Sequence, residues 1–300
     1  MIVLGYNYTF YGNSRHRIAL SYTLASEVSG ILRHHEIPCM LIGDLLFRVL
    51  GYKGSNKHLD LAVEDFHLEQ AIAILRDNGY DDSFHQKCTT IDEERQKQYE
   101  AHMKPAHWFH LYDRTPVHSY RLTGHDFSIP LQSTAKEHVD LRLYRMSEYF
   151  WVLPNIPLAV DWVPNDRNYI QTDDPRLPVR APHKEPDFGA FPPHIPAVIM
   201  PSPARVIEAI IWLKARDSKL CCRGRCWNLM FAYVMYIGRK ANYVDIPPPI
   251  SGPLYDIDAF EQVFHEWWRS EMESQCMRSV DLLRELETVL QRYTPGNGSK

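Results

Sequence analysis

Twelve of the chain's 21 prolines fall between Pro154 and Pro203. Proline locks φ and has no N–H to give, so neither a long helix nor a central strand survives such a run. The chain is thereby divided into a part before the run (1–150), the run itself (151–203), a part after it (204–293) and a polar tail (294–300). Trp162, Tyr169, Ile170, Phe188 and Phe191 are spread through the run. Large apolar side chains at that density predict an ordered arm packed on the body rather than a free linker. The tail, rich in glycine and polar residues, is expected to be disordered.

Before the arm the pattern alternates between helix and strand. Residues 14–34 carry Ile18, Leu20, Leu24, Val28, Ile31 and Leu32 at helical spacing, with Ser14 as a candidate cap. Residues 37–42, IPCMLI, read as a buried strand ending at Gly43-Asp44. A short helix over 45–50 stops at Gly51, and the polar loop YKGSNK leads to HLDLAV, a strand by alternation. Residues 66–78 form an amphipathic helix closed by Gly79. The charged stretch 86–104 has no clear apolar face. HWFHLY (107–112) and HVDLRLY (138–144) are further strands, joined by a loop containing Gly124 and Pro130. After the arm, helices are expected over 204–216, 226–237, 257–271 and 276–293. The fold class is therefore an α/β (α+β) head with a mixed sheet, followed by the arm and a helical bundle.

Composition excludes several classes. A net charge of −4 gives no global basic field, so no stable DNA complex is expected. No apolar run is long enough for a membrane span, and the N-terminus lacks the pattern of a secretory signal. Six irregularly placed cysteines read as reduced thiols of a cytoplasmic or nuclear protein. Cys221, Cys222 and Cys226 cluster without a facing C-x2-C pair, and read as thiols rather than a zinc site.

The stretch with the most chemistry is IGDLLFRVLGYKGSNKHLDL, residues 42–61. Strand, glycine, short helix, glycine, polar loop and a carboxylate on a strand resemble the nucleotidyltransferase superfamily of the DNA polymerase β type. The nearest likeness is to the minimal nucleotidyltransferases, which include antibiotic-modifying enzymes and toxins. Gly43 and Gly51 match the two glycines, Asp60 the second carboxylate of the family's D-x-D, and Asp140 its third carboxylate on a neighbouring strand. The likeness covers about residues 15–80 and 138–145. A weaker echo at 198–235 has a P-S-P turn opening a helix before an Arg-rich loop.

The resemblance implies transfer of a nucleoside monophosphate from a nucleoside triphosphate to an acceptor, with Mg²⁺ or Mn²⁺ as cofactor. The chemistry suits the pattern. Residues i and i+2 of a strand share a face, and divalent metals counter the charge that builds on the phosphoryl oxygens. A bare glycine turn lets backbone N–H groups approach phosphate. The implied catalytic and metal residues are Asp60, Asp140 and His58. The implied nucleotide contacts are Gly43, Asp44, Lys57, Arg223 and Arg225.

The sequence also departs from the family. His58 replaces the first carboxylate, and imidazole suits Mn²⁺ better than Mg²⁺. Asp44 replaces a small residue, and either helps hold a cation or caps the helix over 45–50. Gly54 and Asn56 stand where Arg and Thr are common. Plainer roles exist: Asp60 as a solvent-facing strand residue, Asp140 paired with Arg142 or Arg145, His58 as a half-buried strand start. Three functions remain open: a transferase acting on an RNA or protein acceptor, a catalytically degenerate fold binding a nucleotide or protein, and an RNA-binding adaptor using the basic run 214–225. The second gives the aromatic arm and Trp267-Trp268 to a protein partner.

Overall fold

A computed structural model describes residues 6–10, 21–51, 58–80, 104–116, 119–121, 129–131, 137–150, 153–164, 166–178 and 189–217. Lys57, Arg223, Arg225, residues 86–103, the cysteine cluster, Trp267-Trp268, the helices expected after residue 217 and the tail lie outside them. The elements in chain order begin β1 (Tyr6–Phe10), α1 (Tyr22–His34), β2 (Cys39–Ile42), α2 (Gly43–Val49), β3 (Leu59–Val63), a 3-10 turn (Asp65–His67) and α3 (Leu68–Asp77). They continue β4 (His107–Pro116), β5 (Ser119–Arg121), β6 (Ile129–Leu131), β7 (Glu137–Arg145), α4 (Met146–Tyr149), β8 (Tyr169–Gln171), β9 (Ile199–Pro201) and α5 (Pro203–Asp217).

The main sheet has five strands in the order β1-β4-β7-β3-β2. β3 and β7 run parallel, and the other three neighbouring pairs are antiparallel. This is a mixed α/β fold. β3 and β7 are joined by a long connection, as parallel neighbours require. β2 and β3 are antiparallel neighbours, with α2 between them in the chain.

Alternation along β3 and β7 sends their residues to two faces. Leu59, Leu61 and Val63 join Leu141 and Leu143 in a core with Val28 and Leu32 of α1 and Leu68, Ala71, Ile72 and Leu75 of α3. The opposite face carries Met40, Ile42, Ala62 and Tyr144, covered by Tyr149, Phe150, Ile156 and Tyr169. α5 enters both clusters, through Val206, Ile207 and Ile210 in the first and Ala209 and Leu213 in the second. The arm is tied to the sheet by polar bonds as well: buried Glu64 accepts the Ile156 N–H at 2.8 Å, and Tyr22 donates to the Gly189 carbonyl at 2.9 Å.

Several local expectations need correction. α1 starts at Tyr22, where the Ser21 hydroxyl accepts the Leu24 N–H at 3.4 Å; Ser14 lies outside the described residues. α2 starts at Gly43, so Asp44 sits in its first turn and Ile42 holds the cap position. Asp44 is therefore not the cap. The helix expected over 66–78 opens with the 3-10 turn and becomes α only at Leu68. Gly79, at φ 90°, closes it as expected. The loop around Pro130 contains a strand pair, β5 with β6, and the proline run holds another, β8 with β9. Each is only three residues long, which is how prolines come to lie in them.

Among the described residues no helix is long and apolar enough to cross a membrane. Cys39 is a buried free thiol on β2, 3.6 Å from the Ser29 hydroxyl. Burial pushes it up to about 11, against smaller opposing effects of Ser29 and Arg33. Because the thiolate is the reactive form, native Cys39 is expected to resist iodoacetamide at pH 8 and to react readily in urea. Peptide mass spectrometry reads both; equal labelling would contradict the burial.

Candidate functional site

One end of the second sheet face is polar, and the strand register explains why. Asp60 on β3 lies opposite Arg142 on β7, and Arg142 lies opposite Trp108 on β4. Two residues back along the parallel pair, His58 comes beside Asp140, and His110 of β4 is opposite Asp140. The result is two cross-strand rows: Trp108, Arg142, Asp60, Ile42, and next to it His110, Asp140, His58. Neighbouring strands lie about 4.8 Å apart, so partners along a row meet side by side.

Asp60 is not solvent-facing; its side chain is 7% exposed. One oxygen, Oδ1, accepts from Arg142 Nε at 2.8 Å. The other, Oδ2, lies over Gly43: a Cβ built on that glycine would stand 2.1 Å from it. Gly43 has φ 69°, the left-handed region that favours glycine. The Gly43 turn and the Asp60 carboxylate are thus one fitted unit, set up by the pairing of Ile42 with Asp60.

Asp140 is half-buried and meets two imidazoles. Its Oδ1 accepts from His110 Nδ1 at 3.0 Å, which fixes the Nδ1–H tautomer of that ring. Its Oδ2 is 3.6 Å from His58 Nδ1. The pairing of Asp140 with Arg142 or Arg145 does not occur as a contact. Residues i and i+2 point the same way but stand apart, and Arg142 reaches across to Asp60 instead. Arg145 lies 4.0 Å from Glu148.

The electrostatics follow from burial and from these neighbours. Burial pushes the Asp60 carboxyl up to about 6; Arg142 opposes the rise, and Asp44 and Asp140 add to it. Burial also acts to raise Asp140, but the His110 hydrogen bond and the charges of His58, His110 and Arg142 together hold it below the usual carboxylate range. Burial alone would lower Arg142, and the carboxylates around it more than reverse that. Tyr144, beneath the site, is raised well above its ordinary value by burial and then by Asp60. Among the described residues, three carboxylates (Asp44, Asp60, Asp140) interact with one guanidinium, Arg142.

The structure therefore brings together Gly43, Asp44, His58, Asp60 and Asp140. It adds Arg142 and His110, which sequence reasoning did not place in the site. Asp60, Asp140 and His58 do not close around a common point. No group of three or more His, Cys, Asp or Glu among the described residues is placed to hold a metal ion. Beneath the Gly43 turn lies a small cavity of about 20 Å³, lined by Ile42, Gly43, Phe47, Phe150, Ile210 and Leu213 among others. Its apolar walls offer no partner for a polar ligand. Compared with protein-family models, curated proteins and solved structures, the chain matches none.

Proposed function

We propose that this chain is a divergent nucleotidyltransferase-fold protein that takes a nucleoside triphosphate together with a divalent cation, Mg²⁺ or Mn²⁺, and passes the nucleotidyl group to an acceptor. The observation that carries the reading is the cluster at the Gly43 turn, where Asp44, Asp60 and Asp140 gather around the Arg142 guanidinium. A triphosphate alone would be repelled by these carboxylates, so it would enter together with a divalent cation. The Arg142 guanidinium would add a fixed positive charge beside that cation.

The donors suit such a cation in charge and in type. Asp60 and Asp140 offer hard oxygens, and His58 shifts the preference toward Mn²⁺. A preformed three-ligand cage is not needed, because such cations are commonly held by one or two carboxylates and the substrate's own phosphates. When bound, the cation supplies charge stabilisation of the phosphoryl oxygens. Arg142 would lie beside the phosphates and share that task. Gly43, without a Cβ, lets the Asp60 carboxylate close on the turn. Asp140, kept ionised and oriented by His110, would accept the proton of the attacking hydroxyl.

Calorimetric titration with Mg²⁺- and Mn²⁺-nucleotides tests this. Binding is expected with Mn²⁺, and it should vanish in a chelator. Asp60→Asn keeps a hydrogen-bond acceptor for Arg142 but removes a charge, and should weaken binding roughly 30-fold or more, as for a broken buried charge pair. No binding with either metal would sink the reading. A second reading rests on the Arg142–Asp60 bond, which already counters one carboxylate internally. It is a degenerate fold that binds a nucleotide without transfer. Pyrophosphate release separates the two. The RNA-binding adaptor rests on a run, 214–225, that lies largely outside the described residues.

A further inference from the structure

The short helix α2 is held unevenly at its two ends. Its last turn is pinned: the Arg48 carbonyl accepts the Gly51 N–H and the Gly189 N–H of the arm, each at 3.0 Å. Gly189 is fixed in turn by Tyr22, which donates to its carbonyl at 2.9 Å. The first turn lacks a side-chain cap, because Ile42 stands in the cap position. It opens on Gly43, and glycine has the most backbone freedom of any residue.

Two features meet at this first turn. The Asp60 carboxylate lies over Gly43 and fills the room between it and Arg142. The cavity of about 20 Å³ also touches it. Gly43, Leu46 and Phe47 of α2 line the cavity together with Val206, Ala209 and Leu213 of α5, and neither Asp60 nor Arg142 does. These lining residues are all buried. The volume exceeds the roughly 10–15 Å³ that one water-sized sphere needs. That is room for a backbone turn to shift and too little for a ligand. Protein interiors are otherwise packed to crystal density, so a turn backed by a void moves at lower cost than one backed by side chains.

We propose that α2 pivots about its pinned end, its Gly43 turn sinking toward α5 into this cavity, and that the move frees the Asp60 carboxylate to meet the cation and its nucleotide. The structure is then the closed form, with Asp60 turned inward onto Gly43 and Arg142. This rests on the reading given under Proposed function. Binding selects the open form, so a change that favours the closed one weakens the apparent affinity in proportion. The cavity belongs to the closed form, so filling it should have that effect.

The test fills the cavity from α5 in the full chain and reads stability and binding side by side. Ala209→Val, and the smaller step Val206→Ile, should each raise the urea midpoint by adding apolar contact where there was none. Both should weaken Mn²⁺-ATP binding in calorimetry, by roughly 2- to 30-fold. Stability gained while affinity is lost is the signature, since a purely structural role would move both the same way. Amide NMR under pressure reads the turn without any nucleotide. Pressure favours the form with less void, so the Gly43 and Asp60 resonances of wild type should shift along a curve that Val206→Ile straightens. Raised stability with unchanged affinity overturns the pivot and leaves the site standing. Should Ala209→Val overpack and lose stability, Val206→Ile and the pressure response decide. Wild type that fails to bind Mn²⁺-ATP overturns the nucleotide reading, and the pressure response then judges the pivot alone: curvature removed by filling supports it, and a linear response in wild type overturns it.

Discussion

Replacing Arg142 by methionine is expected to destabilise the fold by roughly 3–5 kcal/mol at pH 8, among the largest effects of any single change in the sheet. Methionine keeps much of the packing volume but leaves the Asp60 carboxylate buried and unpaired. A buried lone charge is far worse than a buried pair, because the desolvation penalty stays while the attraction goes. The effect should depend on pH in a defined direction. In wild type the Asp60 carboxyl stands at about 6 rather than 3.8, so the folded state holds its proton more tightly than the unfolded chain does. Its contribution to stability is fully present below about pH 3.8 and is lost as pH rises through about 6. Removing Arg142 takes away the main opposition to that rise, so the window of loss moves upward. The variant should be strongly destabilised at pH 8 and much less at pH 5, where Asp60 can take up its proton. Asp60→Asn in the Arg142→Met background should restore most of the loss at pH 8. Urea denaturation of the three variants at both pH values reads this. An equal loss at pH 5 and pH 8 would show that Arg142 acts through packing and not through the charge of Asp60.

The partnership of Arg142 with Asp60 also marks where the sequence stops informing. Both carboxylates were legible, because Gly43, Gly51, Asp60 and Asp140 fall in a recognisable order. The strands that carry them were legible too, since short apolar or alternating runs between glycines leave few other readings. The connection between carboxylates and cations was not, because it depends on register. Arg142 follows Asp140 by two residues and so shares its face, but only the parallel alignment of β3 with β7 sets it opposite Asp60. His110 stood in a legible strand, yet its meeting with Asp140 depends on an alignment that shifts between His110 and Tyr112. The short strands β5, β6, β8 and β9 had no signal of their own. Three residues are too few for periodicity, and Pro130 and Pro201 argue locally for turns; β1 is different, because its five alternating residues YNYTF did carry a strand signal that sequence reasoning missed. The pairing partner decides them. α2 began two residues early for a related reason: a glycine with positive φ can open a helix directly from a strand, and no propensity scale anticipates that.

Gly43→Ala is expected to be the other severe change, and it separates two costs that fall on one atom. An L-residue at φ 69° costs about 1 kcal/mol through the backbone alone. The new methyl would also stand 2.1 Å from Asp60 Oδ2 and 2.8 Å from its Cβ, so the carboxylate must move. Asp60 has little room to do so, with its other oxygen held by Arg142 and the β-carbon fixed by pairing with Ile42. The total should be roughly 3–4 kcal/mol, in the range of overpacking plus a disrupted buried pair. Truncating the obstacle distinguishes the parts. In an Asp60→Gly background the three nearest obstacles to the methyl are gone, and Gly43→Ala should then cost little beyond the backbone term of about 1 kcal/mol. Double-mutant thermodynamics by urea denaturation gives the coupling directly. A coupling of roughly 2 kcal/mol or more means that turn and carboxylate are one fitted unit, as the site requires. A coupling near zero would mean that they merely lie close, and would remove the Gly43 turn from the proposed nucleotide seat.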